Sequence, residues 1–186
     1  VTTTVLRLQE WNRPVDAGDL EVLAHCQGPT LDIGCGPGRM AAHLATEGRT
    51  VLGVDALRGA VSQARERGAT ALHRDVFGPL PGEGRWGTAL LADGNIGIGG
   101  DPHALLRRLA AVLDPGGRVV VDLGPPATGT STGWVRLEAD GPAGPPVRWA
   151  WVGADAIDRV ASGSGFRVSC RHARPGRWFA VLARAA

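Results

Sequence analysis

The sequence predicts an α/β fold, a doubly wound and largely parallel sheet with helices on both faces. Three observations carry that expectation. Apolar runs such as Val51–Val54 and Ala89–Ala92 are continuous, as strands covered on both faces must be. They alternate with stretches whose apolar residues recur at helical spacing. Thr30 to Gly48 reads as strand, glycine turn and amphipathic helix in direct succession. At 186 residues the chain suits one sizeable core. A single domain over 1–186 is expected, with an N-terminal arm and helix at 1–28 and an insertion at 124–153.

In the glycine turn, Leu31 and Ile33 lead into Gly34, Gly36 and Gly38, and Met40, Ala41, Leu44 and Ala45 form one face of the helix that follows. Such a turn brings backbone close to a ligand and aims the free N–H groups of a helix N-terminus at it. Arg39 stands where a dinucleotide fingerprint needs its third glycine, which counts against a nicotinamide cofactor. Asp32, at the end of the strand, would repel a pyrophosphate but suits positive charge, such as an ammonium beside a sulfonium. S-adenosylmethionine carries both.

Leu31-Asp32-Ile33-Gly34-Cys35-Gly36-Pro37-Gly38 resembles motif I of the class I S-adenosylmethionine-dependent methyltransferases. The resemblance spans about residues 10 to 123, continues by pattern into the last strands, and is nearest to small-molecule enzymes of high-GC bacteria. It implies a Rossmann-like doubly wound seven-stranded sheet, order 3-2-1-4-5-7-6 with strand 7 antiparallel. It also implies S-adenosyl-L-methionine as cofactor, held at Asp32, Gly34, Cys35, Gly36 and Gly38.

Taken in order, residues 1 to 15 read as an arm that ends in a Trp11-Asn12-Arg13-Pro14 turn. A helix capped by Asp16 follows, with Asp19 at its third position and Leu20, Leu23 and Ala24 facing inward. In relatives such arms cover the cofactor, so Trp11 and Arg13 are candidate contacts, Arg13 through the methionine carboxylate; a packed indole and a solvated guanidinium are the alternatives. After the motif I helix, Thr50–Asp55 is a strand closing on an acid, which the resemblance makes the acceptor for both ribose hydroxyls, with Ala56 beside the adenine. A helix at Ala60–Gly68 leads to a strand at Ala69–Asp75, where Asp75 and Val76 match the family's adenine contacts.

Trp86–Asp93 is the fourth strand, and it runs into a glycine-rich loop, Gly94–Asp101, at the end of the sheet where such folds bind ligands. Asp93, Asn95 and His103 are the candidate catalytic groups there, and Asp93 is a candidate cofactor contact as well. A solvated His103 is the plain alternative, and Asp101 reads most simply as a helix cap. The next helix carries Leu105, Leu106, Leu109, Ala110 and Leu113 inward and stops at Asp114-Pro115-Gly116-Gly117. Arg118–Leu123 is the fifth strand. Trp134–Glu138 and Arg148–Val152 flank a Gly/Pro-rich turn and predict a hairpin beside the site, with Trp134, Trp149 and Trp151 as an aromatic wall or as core. After a helix at about Ala154–Ser162, Phe166–Arg171 alternates as an edge strand would, and Trp178–Ala183 is apolar throughout, as an interior strand would be.

Composition bounds the function. All 20 basic residues are arginine, and the net charge of +2 leaves no nucleic-acid footprint. The loop Asp93-Gly94-Asn95-Ile96 lacks the prolines and aromatic of enzymes that methylate nucleic-acid bases. Three cysteines without metal-ligand spacing read as reduced thiols, and no metal is expected. No apolar stretch has signal or membrane-spanning length, which points to the cytoplasm and away from a membrane. The expectation is methyl transfer to O, N or C of a small-molecule acceptor by a monomer or homodimer. A nucleic-acid or protein methyltransferase and a non-catalytic cofactor-binding subunit are the alternatives.

Overall fold

The computed structural model describes residues 3–7, 11–138 and 144–185. Along the chain lie β1 (Thr3–Arg7), α1 (Ala17–Ala24), β2 (Thr30–Ile33), α2 (Arg39–Thr46), β3 (Val51–Asp55), α3 (Arg58–Glu66), β4 (Ala71–His73) and β5 (Trp86–Leu91). A 3₁₀ turn at Asn95–Gly97 precedes α4 (Pro102–Val112), β6 (Leu113–Leu123), β7 (Thr130–Glu138), β8 (Val147–Val152), α5 (Ile157–Ser162), β9 (Phe166–Arg174) and β10 (Arg177–Arg184). The main sheet has the order β4-β3-β2-β5-β6-β10-β9, with β10 antiparallel to both neighbours. Counted within that sheet, this is 3-2-1-4-5-7-6, as expected.

The alternation of side chains along each strand assigns the two faces. Leu31, Ile33, Ala89, Leu91, Val119 and Val121 point to one side, where Leu105, Leu106 and Leu109 of α4 and Ile157 and Val160 of α5 cover them. Leu90, Val120, Phe179 and Val181 point to the other, beneath Val22 and Leu23 of α1, Met40 and Leu44 of α2 and Val61 of α3. Burial on both faces is why these strands read as unbroken apolar runs.

Several boundaries differ from expectation. The arm contains a strand, β1, which pairs in parallel with β7, and β7 pairs antiparallel with β8 to make a separate three-stranded sheet. The tip of the expected hairpin, at residues 139–143, lies outside the described residues, as do residues 8–10 of the arm. Asp114–Gly117 is the first stretch of β6, whose ladder with β5 shifts register between Trp86 and Thr88. The strand expected at Ala69–Asp75 spans only Ala71–His73, and α5 begins at Ile157. In α1, Leu20 is 46% exposed and Ala24 is exposed, so neither faces inward. The buried side carries Asp19, Val22 and Leu23 instead.

Asp19 turns inward because three guanidinium groups meet it there. Arg13 donates to it at 2.6 and 3.2 Å and Arg177 at 2.7 Å, and Arg39 forms an ion pair with it. It also completes a capping box with Asp16 at the start of α1. Arg39, at the first position of α2, reaches Asp93 after β5 as well, and Arg177 on β10 donates to Asp122 of β6 at 3.0 and 2.6 Å. Five elements are thereby tied below the carboxyl ends of the central strands. Burial works to raise the pKa of Asp19, but the hydrogen bonds from Arg39, Arg13 and Arg177 outweigh it and hold the carboxyl well below the usual range.

Asp19→Ala leaves the buried Arg39 without one of its two anions, and a loss of about 3–5 kcal/mol is expected from urea unfolding at neutral pH. A depressed carboxyl pKa stabilises above the unfolded value of ~3.9 and loses that contribution as pH falls through the folded value. The gap between wild type and variant therefore narrows below about pH 4, and a gap independent of pH would contradict the charge network.

Candidate active site

The site begins where β2 ends. Gly34 and Gly38 adopt left-handed φ angles of +67° and +82°, and a Cβ on either would collide with its surroundings. At Gly34 it would lie 2.8 Å from Nδ2 of Asn95, and at Gly38 2.7 Å from Cβ of Ala64 on α3. Around Gly36 nothing lies within 4 Å of that position, so the middle of the turn opens onto free space. Cys35 is buried against Gly53, and burial pushes its thiol well above the ordinary range.

That free space is a cavity of about 300 Å³ between the carboxyl ends of the main sheet and the three-stranded sheet, within the size range of small-molecule sites. Gly34, Cys35, Gly36, Asp55, Ala56, Asp75, Val76, Asp93, Asn95 and Trp11 line it, so ten of the residues expected at the site converge there. Asp55 accepts from the backbone N–H of Gly36 at 2.9 Å and of Leu57 at 2.8 Å, one bond to each oxygen. Each carboxylate oxygen keeps acceptor capacity after such a bond. Burial raises the pKa of Asp55, and the two backbone bonds work against that rise. Asp75 accepts from the N–H of Phe77 at 3.0 Å.

The loop after β5 serves two purposes. Asp93 has a positive φ of 53°, donates its N–H to Asp122 at 2.9 Å and pairs its carboxylate with Arg39. Burial raises its pKa, against the pull of Arg39 and with the help of Asp122. The Nδ2 of Asn95 donates to the carbonyls of Ile33 and Gly34, both at 2.9 Å, and because carbonyls only accept, this fixes the amide orientation. Asn95 thus clamps the glycine turn and keeps Oδ1 as its acceptor.

Four expected site residues lie off the cavity wall. Gly38 packs on α3 as described. Arg13 lines a second, polar cavity that shares Asp93 with the first. Asp32 is only 1% exposed, beneath the turn, and one carboxylate oxygen has no hydrogen-bond partner. Burial first and Asp93 second push its pKa up to about 7, opposed by Arg39. His103 turns to the far side of α4: Ser164 donates its hydroxyl to the Val160 carbonyl at 2.7 Å and so accepts from Nδ1 of His103 at 3.0 Å. Its ring is occupied between helices and has no place in the cavity.

The other half of the cavity is walled by residues that no motif marks. Phe77, Ile98, Leu137, Val147, Arg148 and Trp149 line it. Gly97 lets the loop meet β8, since a Cβ there would overlap the Ala150 carbonyl and the Trp149 indole. Of the three hairpin tryptophans only Trp149 reaches the cavity. Trp134 is exposed, with the Arg148 guanidinium 5.4 Å from its ring centroid, and Trp151 packs over Gly133. The hairpin reading offered Trp149 together with Trp134 and Trp151, but the partners of the Trp149 ring come from the distant loop.

Residues 30–117 match the family described as Methyltransferase domain. Among solved structures the chain is similar to a SAM-dependent methyltransferase from Bacteroides fragilis in complex with S-adenosyl-L-homocysteine, with a TM-score of 0.78 and 21% identity over 96% of this chain and 81% of that one. It is also similar to the CcbJ methyltransferase from Streptomyces caelestis, with a TM-score of 0.73 and 22% identity over 96% and 95%. A third is the Burkholderia thailandensis 1,6-didemethyltoxoflavin-N1-methyltransferase bound to 1,6-didemethyltoxoflavin and S-adenosylhomocysteine, with a TM-score of 0.66 and 18% identity over 90% and 76%. No curated protein matches the sequence significantly. At such identities the likeness is one of architecture, and with the strand order and the glycine turn it establishes that the chain has the class I S-adenosylmethionine-dependent methyltransferase fold.

Proposed function

We propose that the protein is an S-adenosylmethionine-dependent methyltransferase acting on O, N or C of a small-molecule acceptor. The observation that carries this reading is Asp55, whose two oxygens accept from the turn and from Leu57 and face the same cavity that opens above Gly36. A carboxylate so placed suits a ribose diol, and a turn without a side chain at Gly36 leaves room for a ligand against the backbone. Asp75 and Val76 would hold the adenine edge, with Ala56 and Trp11 beside the adenosine. Gly34, Cys35 and Gly36 would supply backbone, while Asp32 from beneath and Asp93 at the wall would favour positive charge. Arg13, in the adjoining polar cavity, would meet the methionine carboxylate. The cofactor supplies an electrophilic methyl group already activated by its sulfonium.

The protein's own part is alignment and exclusion of water. Phe77, Ile98, Val147 and Trp149 make the acceptor half of the cavity apolar and partly aromatic, which suits a flat, apolar small molecule. Asn95 holds the loop against the turn, so that the acceptor wall and the cofactor wall keep a constant spacing. Asp93 would take a proton from the acceptor, a role supported by its position on the wall and by the burial that raises its pKa. The net charge of +2 and the scatter of the arginines along the sequence favour a metabolite over a nucleic acid. Among the described residues no helix is long and apolar enough to cross a membrane. A cytoplasmic setting is part of this proposal.

Calorimetry with S-adenosylmethionine and S-adenosylhomocysteine, with NADH as control, tests the reading. Micromolar binding of the first two and none of the third is expected, and the reverse pattern would overturn it. Asp55→Ala should weaken binding by about 1.5–3 kcal/mol, typical of hydrogen bonds to a charged group; an unchanged affinity would remove Asp55 from the ribose. The state of Asp32 gives a second check. With a pKa near about 7, it is largely protonated in the free protein at pH 5, and a bound cation must draw out that proton. Cofactor affinity should rise from pH 5 to 7 in wild type, and Asp32→Asn should flatten that rise.

A further inference from the structure

At the edge of the main sheet, away from the cavity, His25, Cys170 and His172 come together. One nitrogen from each imidazole and the Cys170 sulfur all lie within 4.8 Å of one another. His25 is the C-cap of α1, and Cys170 and His172 stand two residues apart on β9, hence on the same face of the strand. The imidazoles of His25 and His172 have centroids 4.3 Å apart, and His172 stacks on Phe179 of β10 at 4.5 Å. Nε2 of His172 is buried with no hydrogen-bond partner, an unsatisfied polar atom that folding tolerates poorly.

We infer that His25, Cys170 and His172 form a binding site for a borderline-soft divalent transition metal, best matched by zinc. Imidazole nitrogen and thiolate sulfur are both ligands that zinc takes, and two imidazoles with one thiolate also suit copper. Bond lengths of ~2.0–2.3 Å in a tetrahedron require ligand atoms roughly 3.4–3.6 Å apart, so the trio, now within 4.8 Å, needs to close by no more than about 1.4 Å. The fourth position stays open to water.

The surroundings favour the same ion. His25 ends α1, and the last carbonyls of a helix attract a cation. On the other side of His172, Glu21 of α1 lies 3.9 Å from Nδ1, beyond hydrogen-bond length, so its negative charge lies on the side of the ring away from Nε2. Arg174 pairs with Glu21, and Arg118 adds a repulsive charge near His25, so the anionic thiolate is the group that balances the site. The bound ion would pin the C-terminal end of α1 to β9, as Asp19 pins the opposite end to β10 through Arg177.

The test uses the full chain, stripped with chelator and without cofactor, and so is independent of the methyltransferase reading. Cobalt(II) titration should give one ion per chain and a thiolate-to-cobalt charge-transfer band that zinc displaces. The band should vanish in Cys170→Ser. Zinc affinity should fall at least tenfold in His25→Gln and in His172→Gln, since even residues behind a metal's ligands change affinity by that much. Wild type should gain thermal midpoint on adding zinc, and His25→Gln should not. Equal midpoints of wild type and variants in chelator show that the variants fold, and if Cys170→Ser does not, His25→Gln carries the comparison. No cobalt band, a band that survives Cys170→Ser, or histidine variants with unchanged affinity would overturn the inference.

Discussion

The constraint on which most of this structure depends is the burial of Arg39. The residue is only 4% exposed and begins α2, where the helix dipole already places positive charge. A cation there is tolerable only between anions, and Asp19 and Asp93 supply them from two different segments. Asp19 in turn needs a second and third guanidinium to balance its own burial, which Arg13 and Arg177 provide. The position that in a dinucleotide site would be a glycine thus becomes the anchor for α1, the loop after β5 and the final strand.

This anchoring decides the shape of the site. With Asp93 held from behind by Arg39 and Asp122, the chain turns through a positive φ and brings Asn95 under the Ile33 and Gly34 carbonyls. The loop is then close enough for Gly97 to touch β8, and the three-stranded sheet closes over the cavity. The two separate sheets are in this way joined at two places, through the loop by the bridge between Ile98 and Trp149 and beyond β6 by the bridge between Gly124 and Gly153. A ligand pocket between them needs that rigidity, because its two halves come from separate layers.

The site was legible in the sequence where backbone conformation or strand endings mark it. Gly34 and Gly36 sit in a turn whose geometry only glycine allows without strain or obstruction, Asp55 ends a strand that its apolar run identifies, and Asp75 follows a shorter one by two residues. Phe77, Ile98, Val147 and Arg148 carried no such signal, since an apolar residue in a loop or at a strand end reads the same on a cavity wall as in a core. Asn95 and His103 show the converse. Both looked available for chemistry, but Asn95 spends its donors on the turn and His103 is bound to Ser164 across a helix pair 61 residues away in sequence.

The sequence by itself determined the doubly wound sheet and the turn that begins the site, because these follow from continuous apolar runs, from helical periodicity and from local backbone requirements, while the strand order was implied by the resemblance that Leu31–Gly38 carries. Tertiary structure decided the rest. It alone turned Asp19 inward against the apolar pattern of α1, since a carboxylate can be buried when guanidinium groups from distant segments reach it. It alone made a strand of Thr3–Arg7, whose partner lies in β7, and brought His25 within reach of Cys170 and His172. Interactions between residues far apart in the chain leave no period in the sequence, and so become visible only when the chain has folded.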